Sequence, residues 1–263
     1  MPTLEARGIE IMWRERGEGP AILLVHETAA NGEVWDAVGE ALAPRARAIS
    51  YDRRGWGTSS APEDYRRTTV EEQSEDAAAL LESAKAAPAV VVGAGIGGIV
   101  ALDLLLRRPD LVVGTLLVEP PVLQLLPMAT EALSGDRRRL EVAAGAGEDV
   151  IDLYLSGGLQ ALGGGVSRLP AELIAAARER PTSVVAEMGI ATGWRVPLPS
   201  LGSVQRPTTI VTAPSTPPLL RDASAALASR LAGSSATEVD SGRAAPHVGA
   251  PDDVAALALE LSP

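Results

Sequence analysis

The chain contains no cysteine. Disulfides, thiolate nucleophiles, iron–sulfur clusters and cysteine-type zinc sites are thereby excluded. Phenylalanine is absent as well, and three tyrosines and four tryptophans (Trp13, Trp35, Trp56, Trp194) supply all the aromatic area for packing. Lys85 is the single lysine, and 23 basic against 34 acidic side chains leave a net charge of −11. That balance argues against a phosphate backbone or an anionic membrane surface as a partner, since both need clustered cations. No apolar run approaches the ~18–20 residues of a membrane span. Charges interrupt every apolar stretch of the N-terminal MPTLEARGIEIMWRERGEGP, so no signal-peptide core is expected. The expectation is a soluble, cytoplasmic protein with a small-molecule ligand or substrate and neither nucleic acid nor membrane as partner. Oligomeric state is not readable.

What is present describes an ordinary globular chain. Its 263 residues, 46% hydrophobic and 22% charged, suffice for a sizeable core. Strand signals at 9–13, 21–25, 46–51, 90–92 and 112–118 alternate with helical spacing at 34–42, 69–87 and 97–107. The run AILLV (21–25) is continuously apolar, as a strand buried on both faces requires. Thr69 followed by acidic residues predicts an N-cap. This alternation predicts an α/β fold with a mostly parallel sheet. From about 122 to 200 the rhythm breaks into helical pieces (128–133, 149–155, 171–178, 183–191) separated by Gly/Pro joints such as GGLQALGGG, which predicts a helical lid inserted into one domain spanning 1–263. Strand and helix signals resume at 208–212, 223–231, 237–239 and 253–261.

The sharpest motif is VVVGAGIGG (90–98) at a strand-to-helix junction. A phosphate-binding loop is one interpretation, but Gly93-x-Gly95-x-Gly97 lacks the G-x-G-x-x-G spacing and lies too late in the chain for a dinucleotide site. No cofactor and no metal are expected. The other interpretation is a G-x-S-x-G elbow, whose central residue sits on a strained turn above the sheet.

Read with their neighbours, the stretches VHETAANGEVW (25–35), YDRRGWGTS (51–59), VVGAGIGG (91–98), LLVEPP (116–121), APSTPP (213–218) and PHVGAPDDVA (246–255) resemble the α/β-hydrolase superfamily, in particular its actinobacterial-type members. The resemblance covers both halves of the sheet and leaves the lid unmatched. It implies an α/β-hydrolase fold with a His-containing pocket. The departures are chemical. Where the resemblance implies a serine nucleophile, this chain has Gly95, preceded by Ala94. Glu27 stands where glycine is usual, and the usual acid would fall at Ser215-Thr216. An acyl-enzyme through this elbow is chemically closed, because glycine carries no nucleophile.

The remaining candidates are few. His247 as proton carrier and Glu119 as its orienting acid are the expected catalytic pair. The alternative for Glu119 is a carboxylate paired with an arginine. The backbone N–H groups of Thr28 and Ile96 match the oxyanion-hole positions that the resemblance implies. His26, Glu27 and Trp194 are candidates to line the pocket, and the resemblance implies that His26 shapes the oxyanion loop. Glu27 is either a pocket carboxylate or a solvated loop charge, Asp52 caps the turn that follows it, and Trp194 packs in the lid or meets a flat ligand. Two functions remain open: an enzyme on a small, fairly apolar molecule that works by His-mediated proton transfer or water activation, and an inactive pseudohydrolase that binds a ligand or partner.

Overall fold

The structure, a computed structural model, describes residues 2–162, 165–196 and 198–262. Eight strands, β1 (Thr3–Ala6), β2 (Ile9–Arg16), β3 (Ala21–Val25), β4 (Arg47–Tyr51), β5 (Ala89–Ala94), β6 (Val112–Val118), β7 (Thr208–Thr212) and β8 (Ser234–Glu238), form one sheet in the order β1-β2-β4-β3-β5-β6-β7-β8. β1 pairs with β2, and β2 with β4, antiparallel; every other pairing is parallel. This is the α/β-hydrolase fold: a mostly parallel sheet covered on both faces, with a helical insertion.

The central strands are apolar on both faces because each has a core on both sides. Leu23, Val25 and Val91 point into one cluster, with Ile99, Leu102 and Leu80. Their neighbours Ile22, Leu24, Val90 and Val92 point into the other, with Trp35, Val38 and Val254. Full burial of each such side chain contributes about 1.5–3 kcal/mol before entropy is subtracted. Helices α1 (Asp36–Leu42), α2 (Val70–Ser83) and α3 (Ile96–Arg107) follow the strands of the first half. Thr69 caps α2 through a full capping box with Glu72. Helix α3 leaves β5 so sharply that a Cβ on Gly97 would lie 2.2 Å from the Val25 carbonyl oxygen, so only glycine fits this crossing.

Between β6 and β7 lie α4 (Ala129–Gly145), α5 (Val150–Leu155), α6 (Ala171–Arg178), α7 (Pro181–Glu187), α8 (Ile190–Gly193) and α9 (Leu198–Leu201); α10 (Pro218–Ala228), α11 (Pro246–Gly249) and α12 (Pro251–Glu260) complete the chain. Helix α4 is much longer than the spacing at 128–133 predicts. It buries only Ala129, Asp136 and Ala143, so it has no apolar stripe to read. Among the described residues no helix is long and apolar enough to cross a membrane.

The register places the site. Leu24 pairs with Val92, and Ala94 and Val211 both pair with Val118. The loops after β3, β5 and β6 therefore leave the carboxyl edge of the sheet side by side, where ligands bind in open α/β sheets.

Candidate active site

Gly95 turns the chain from β5 into α3 with φ 50° and ψ −120°, a conformation that strains any residue bearing a Cβ. Its N–H donates to the Val118 carbonyl at 2.9 Å, which fixes the turn against β6. A Cβ at this position would lie 2.9 Å from the Glu27 Cβ. The space above the turn is thus taken by a side chain from the neighbouring loop.

Glu27 is the pocket carboxylate of the two alternatives. Its side chain is 12% exposed, and Oε1 lies 3.0 Å from His247 Nε2. By distance this is a carboxylate–imidazole contact, yet the oxygen lies off the line of a directed hydrogen bond. Oε2 of Glu27 and both ring nitrogens of His247 are buried without hydrogen-bond partners among the described residues. Helix α11, which starts three residues after the turn at Gly242–Arg243, carries His247, 1% exposed, with its ring centroid 4.6 Å from that of Trp35. Trp35 gives the imidazole a fixed wall.

The structure corrects the expectation that Glu119 orients His247. Both Glu119 oxygens sit 2.7 Å from Arg168 Nη1, and Oε1 also accepts from Thr216 Oγ1 at 2.5 Å. Arg168 donates onward to Ser215 Oγ and to the Ala244 carbonyl. The carboxylate after β6 therefore clamps the insertion to the loops bearing Thr216 and Ala244, and its charge is compensated from behind. Its φ of 48° is unusual for a residue with a side chain and marks the same tight turn.

His26 and Trp194 are corrected as pocket residues. Neither lines the cavity. His26 is fully buried; its Nε2 accepts the Arg53 backbone N–H at 2.9 Å, so Nδ1 carries the proton and donates to the Glu27 carbonyl at 2.7 Å. Burial first, and the Arg53 charge second, push its pKa well below the ordinary value. A neutral His26 locks the loop that carries Glu27 and Thr28. Trp194 is 2% exposed and donates its indole N–H to Asp103 Oδ1 at 2.9 Å, against α3. Asp52 does hold the turn that follows it, accepting from Thr58 N–H at 2.9 Å, and it also accepts from Gly32 N–H at 2.8 Å.

Sequence reasoning missed Glu187, at the end of α7. It is completely buried and bonds Arg53 Nη1 at 2.6 Å and Nη2 at 3.1 Å, Gln73 at 3.0 Å and Thr28 Oγ1 at 2.6 Å. Burial alone would raise its pKa; the Arg53 charge and these hydrogen bonds win and hold it below the ordinary value. Glu187 thereby ties the insertion to the loop bearing Thr28. The signal available was on the other partner: Arg53 and Arg54 in DRRG are both buried, and each needs an acid, Glu187 and Asp76 respectively.

These groups border a cavity of about 60 Å³. Thr28, Gly95 and Ile96 form part of its floor, Val118, Leu123 and Leu220 its walls, and Tyr154, Val166 and Met188 belong to the insertion. Ile96 opens α3, so its N–H has no intrahelical acceptor.

A stability prediction follows from His26. Its folded pKa is lowered, so below the unfolded value of 6.5 the unfolded chain binds a proton that the folded chain refuses. The contribution is complete above pH 6.5 and is lost as pH falls, by about 1.4 kcal/mol per pH unit at most. Glu187, also lowered, adds a loss of the same sign below about 4.5. Urea unfolding at pH 7.0 and 5.5 is expected to show this loss, and His26→Gln should flatten it; equal slopes in both proteins would assign the loss elsewhere.

The chain matches the alpha/beta hydrolase family over residues 22–257. It is 37% identical over 124 residues to an uncharacterized hydrolase of Bacillus subtilis (strain 168), covering 47% of this chain and 46% of that protein. It is 36% identical over 108 residues to an epoxide hydrolase of Caballeronia sordidicola, covering 41% and 33%. These alignments thus span less than half the length of either relative. A thermophilic esterase from Thermogutta terrifontis superposes with a TM-score of 0.75 over 98% of this chain and 95% of that one, at 22% identity, a likeness of fold alone. The chain belongs to the alpha/beta hydrolase family.

Proposed function

We propose that the chain is a hydrolase of small, fairly apolar esters or lactones in which Glu27, delivered from the loop after β3, replaces the side chain missing at Gly95 as the partner of His247. The observation that carries this reading is the 3.0 Å approach of Glu27 Oε1 to His247 Nε2 directly over the Gly95 turn. No hydroxyl, thiol or carboxylate belongs to the turn 93–98 itself, so water is the nucleophile. The Glu27–His247 pair takes a proton as the water oxygen attacks the substrate carbonyl carbon. The N–H groups of Thr28 and Ile96 stabilise the resulting oxyanion. The carbon–oxygen bond to the leaving group then breaks, and the pair returns the proton to the departing alkoxide. Catalytic hydrogen bonds are often misaligned until substrate binds, which accommodates the off-line geometry of this contact. The helical insertion acts as the lid of the same domain.

One observation favours the second reading, a ligand-binding protein without turnover. Among the described residues His247 Nδ1 has no acid to orient it, because Glu119 is committed to Arg168. Hydrolysis of short neutral aryl esters separates the two. Steady turnover is expected, with no burst and no fluorophosphonate adduct, and it should disappear in His247→Ala. Saturable ester binding without turnover would establish the binding protein instead.

A further inference from the structure

Six polar side chains line the cavity among the described residues: Glu27, Thr28, Glu119, Tyr154, Glu187 and His247. Most of their hydrogen-bonding capacity is used inside the protein. Thr28 gives its hydroxyl proton to Glu187, Glu187 is held by Arg53 and Gln73, and Glu119 is held by Arg168 and Thr216. Among the described residues, neither of these arginines and no other Arg or Lys side chain lines the cavity. That leaves the Glu27 carboxylate, whose Oε2 is a buried acceptor without a donor, beside the His247 ring and the Tyr154 side chain. Of the three carboxylates, Glu119 and Glu187 are each paired with an arginine, and Glu27 is not, so a ligand anion placed against Glu27 meets like charge.

We infer that the cavity selects by charge: it takes acyl compounds and amines that are uncharged or cationic and carry a hydrogen-bond donor (hydroxyl, amide N–H or ammonium) for Glu27 Oε2, and it rejects carboxylates. This names the substrate class of the hydrolytic site proposed above and rests on that reading for the word substrate. The selection itself acts in binding. A donor on the ligand satisfies the orphaned oxygen, whereas a ligand carboxylate leaves two buried anions facing each other.

Three ligands of one skeleton test it: phenylacetamide, phenethylamine and phenylacetate, titrated calorimetrically into the intact chain at neutral pH. Phenylacetamide and phenethylamine are expected to bind, with phenylacetate weaker by roughly tenfold or more, which corresponds to about 1.4 kcal/mol. In Glu27→Gln the amide-to-carboxylate gap should shrink severalfold. Phenylacetate binding as tightly as phenylacetamide, or no binding by any of the three at millimolar concentrations, would overturn the inference. The wild-type comparison stands even where the variant is unstable. Charge order without ester turnover would remove the hydrolytic reading and leave the selection; turnover with the order reversed would remove the selection alone.

Discussion

Glu187→Ala is expected to lower the free energy of unfolding by about 3–5 kcal/mol, the cost of leaving a buried charge unpaired. The charge left behind is Arg53, 1% exposed, whose guanidinium meets Glu187 through two hydrogen bonds. Gln73 and Thr28 lose an acceptor at the same time. The size follows from burial: an exposed pair such as Arg137–Glu141, with side chains 81% and 60% exposed, should cost under about 1 kcal/mol when broken. Denaturant unfolding measures the loss, with the slope unchanged if the two-state transition is kept. Replacing both partners, as Arg53→Met with Glu187→Leu, should recover much of it, since an apolar pair removes the uncompensated charge. A loss in Glu187→Ala no larger than that of an exposed pair would mean that Arg53 reaches water, and the clamp on the insertion would be lost with it.

Glu27→Gln is expected to lower ester turnover by about 10²–10⁴, the usual contribution of a positioned acid or base. Glutamine keeps the size of the side chain over Gly95 and removes its capacity to take a proton. The loss should therefore fall on kcat, with KM little changed. His247→Ala should produce a loss of similar size. The double variant should be no worse than either single one, because two groups that act as a unit fail together. Additive losses would separate the two residues into independent roles.

Much of this architecture was legible from the residues. AILLV and VVV carry a continuous apolar run because two cores press on them, and Thr69 with Glu72 spells out its own cap. Only the start of helix α4 was legible, because a polar surface helix has no stripe. Strand β1 was missed because TLEA is four residues at the sheet edge, only one of them buried. The weak strand expected at 237–239 lies instead at Ser234–Glu238, where small polar residues give no alternation.

The site was legible in composition and not in pairing. Two histidines and a handful of acids at motif positions could be named, yet which acid meets which cation depends on loop geometry. Glu119 stands next to the carboxyl end of β6 in sequence and in space, but Arg168, 49 positions later, fills its hydrogen-bonding capacity. Glu27 reaches His247 because Gly95 leaves room for its Cβ, a relation between two residues 68 positions apart that neither discloses alone. Glu187 lies in the insertion, which the motif resemblance did not reach.

That relation between Glu27 and Gly95 is the centre of the account, and fluorophosphonate labelling of Gly95→Ser, with and without Glu27→Gly, tests it most directly. The single variant should remain unlabelled and lose stability, since its new Cβ lies 2.9 Å from the Glu27 Cβ in a backbone conformation that costs about 1–3 kcal/mol. Removing the Glu27 side chain opens the space and frees His247 for the new hydroxyl. The double variant should be labelled at position 95, in a manner abolished by His247→Ala, and should regain part of the stability. Equal labelling of the single and double variants would show that Glu27 does not occupy the space above Gly95, and labelling of the wild-type chain anywhere from Gly93 to Gly98 would contradict the absence of a nucleophile there.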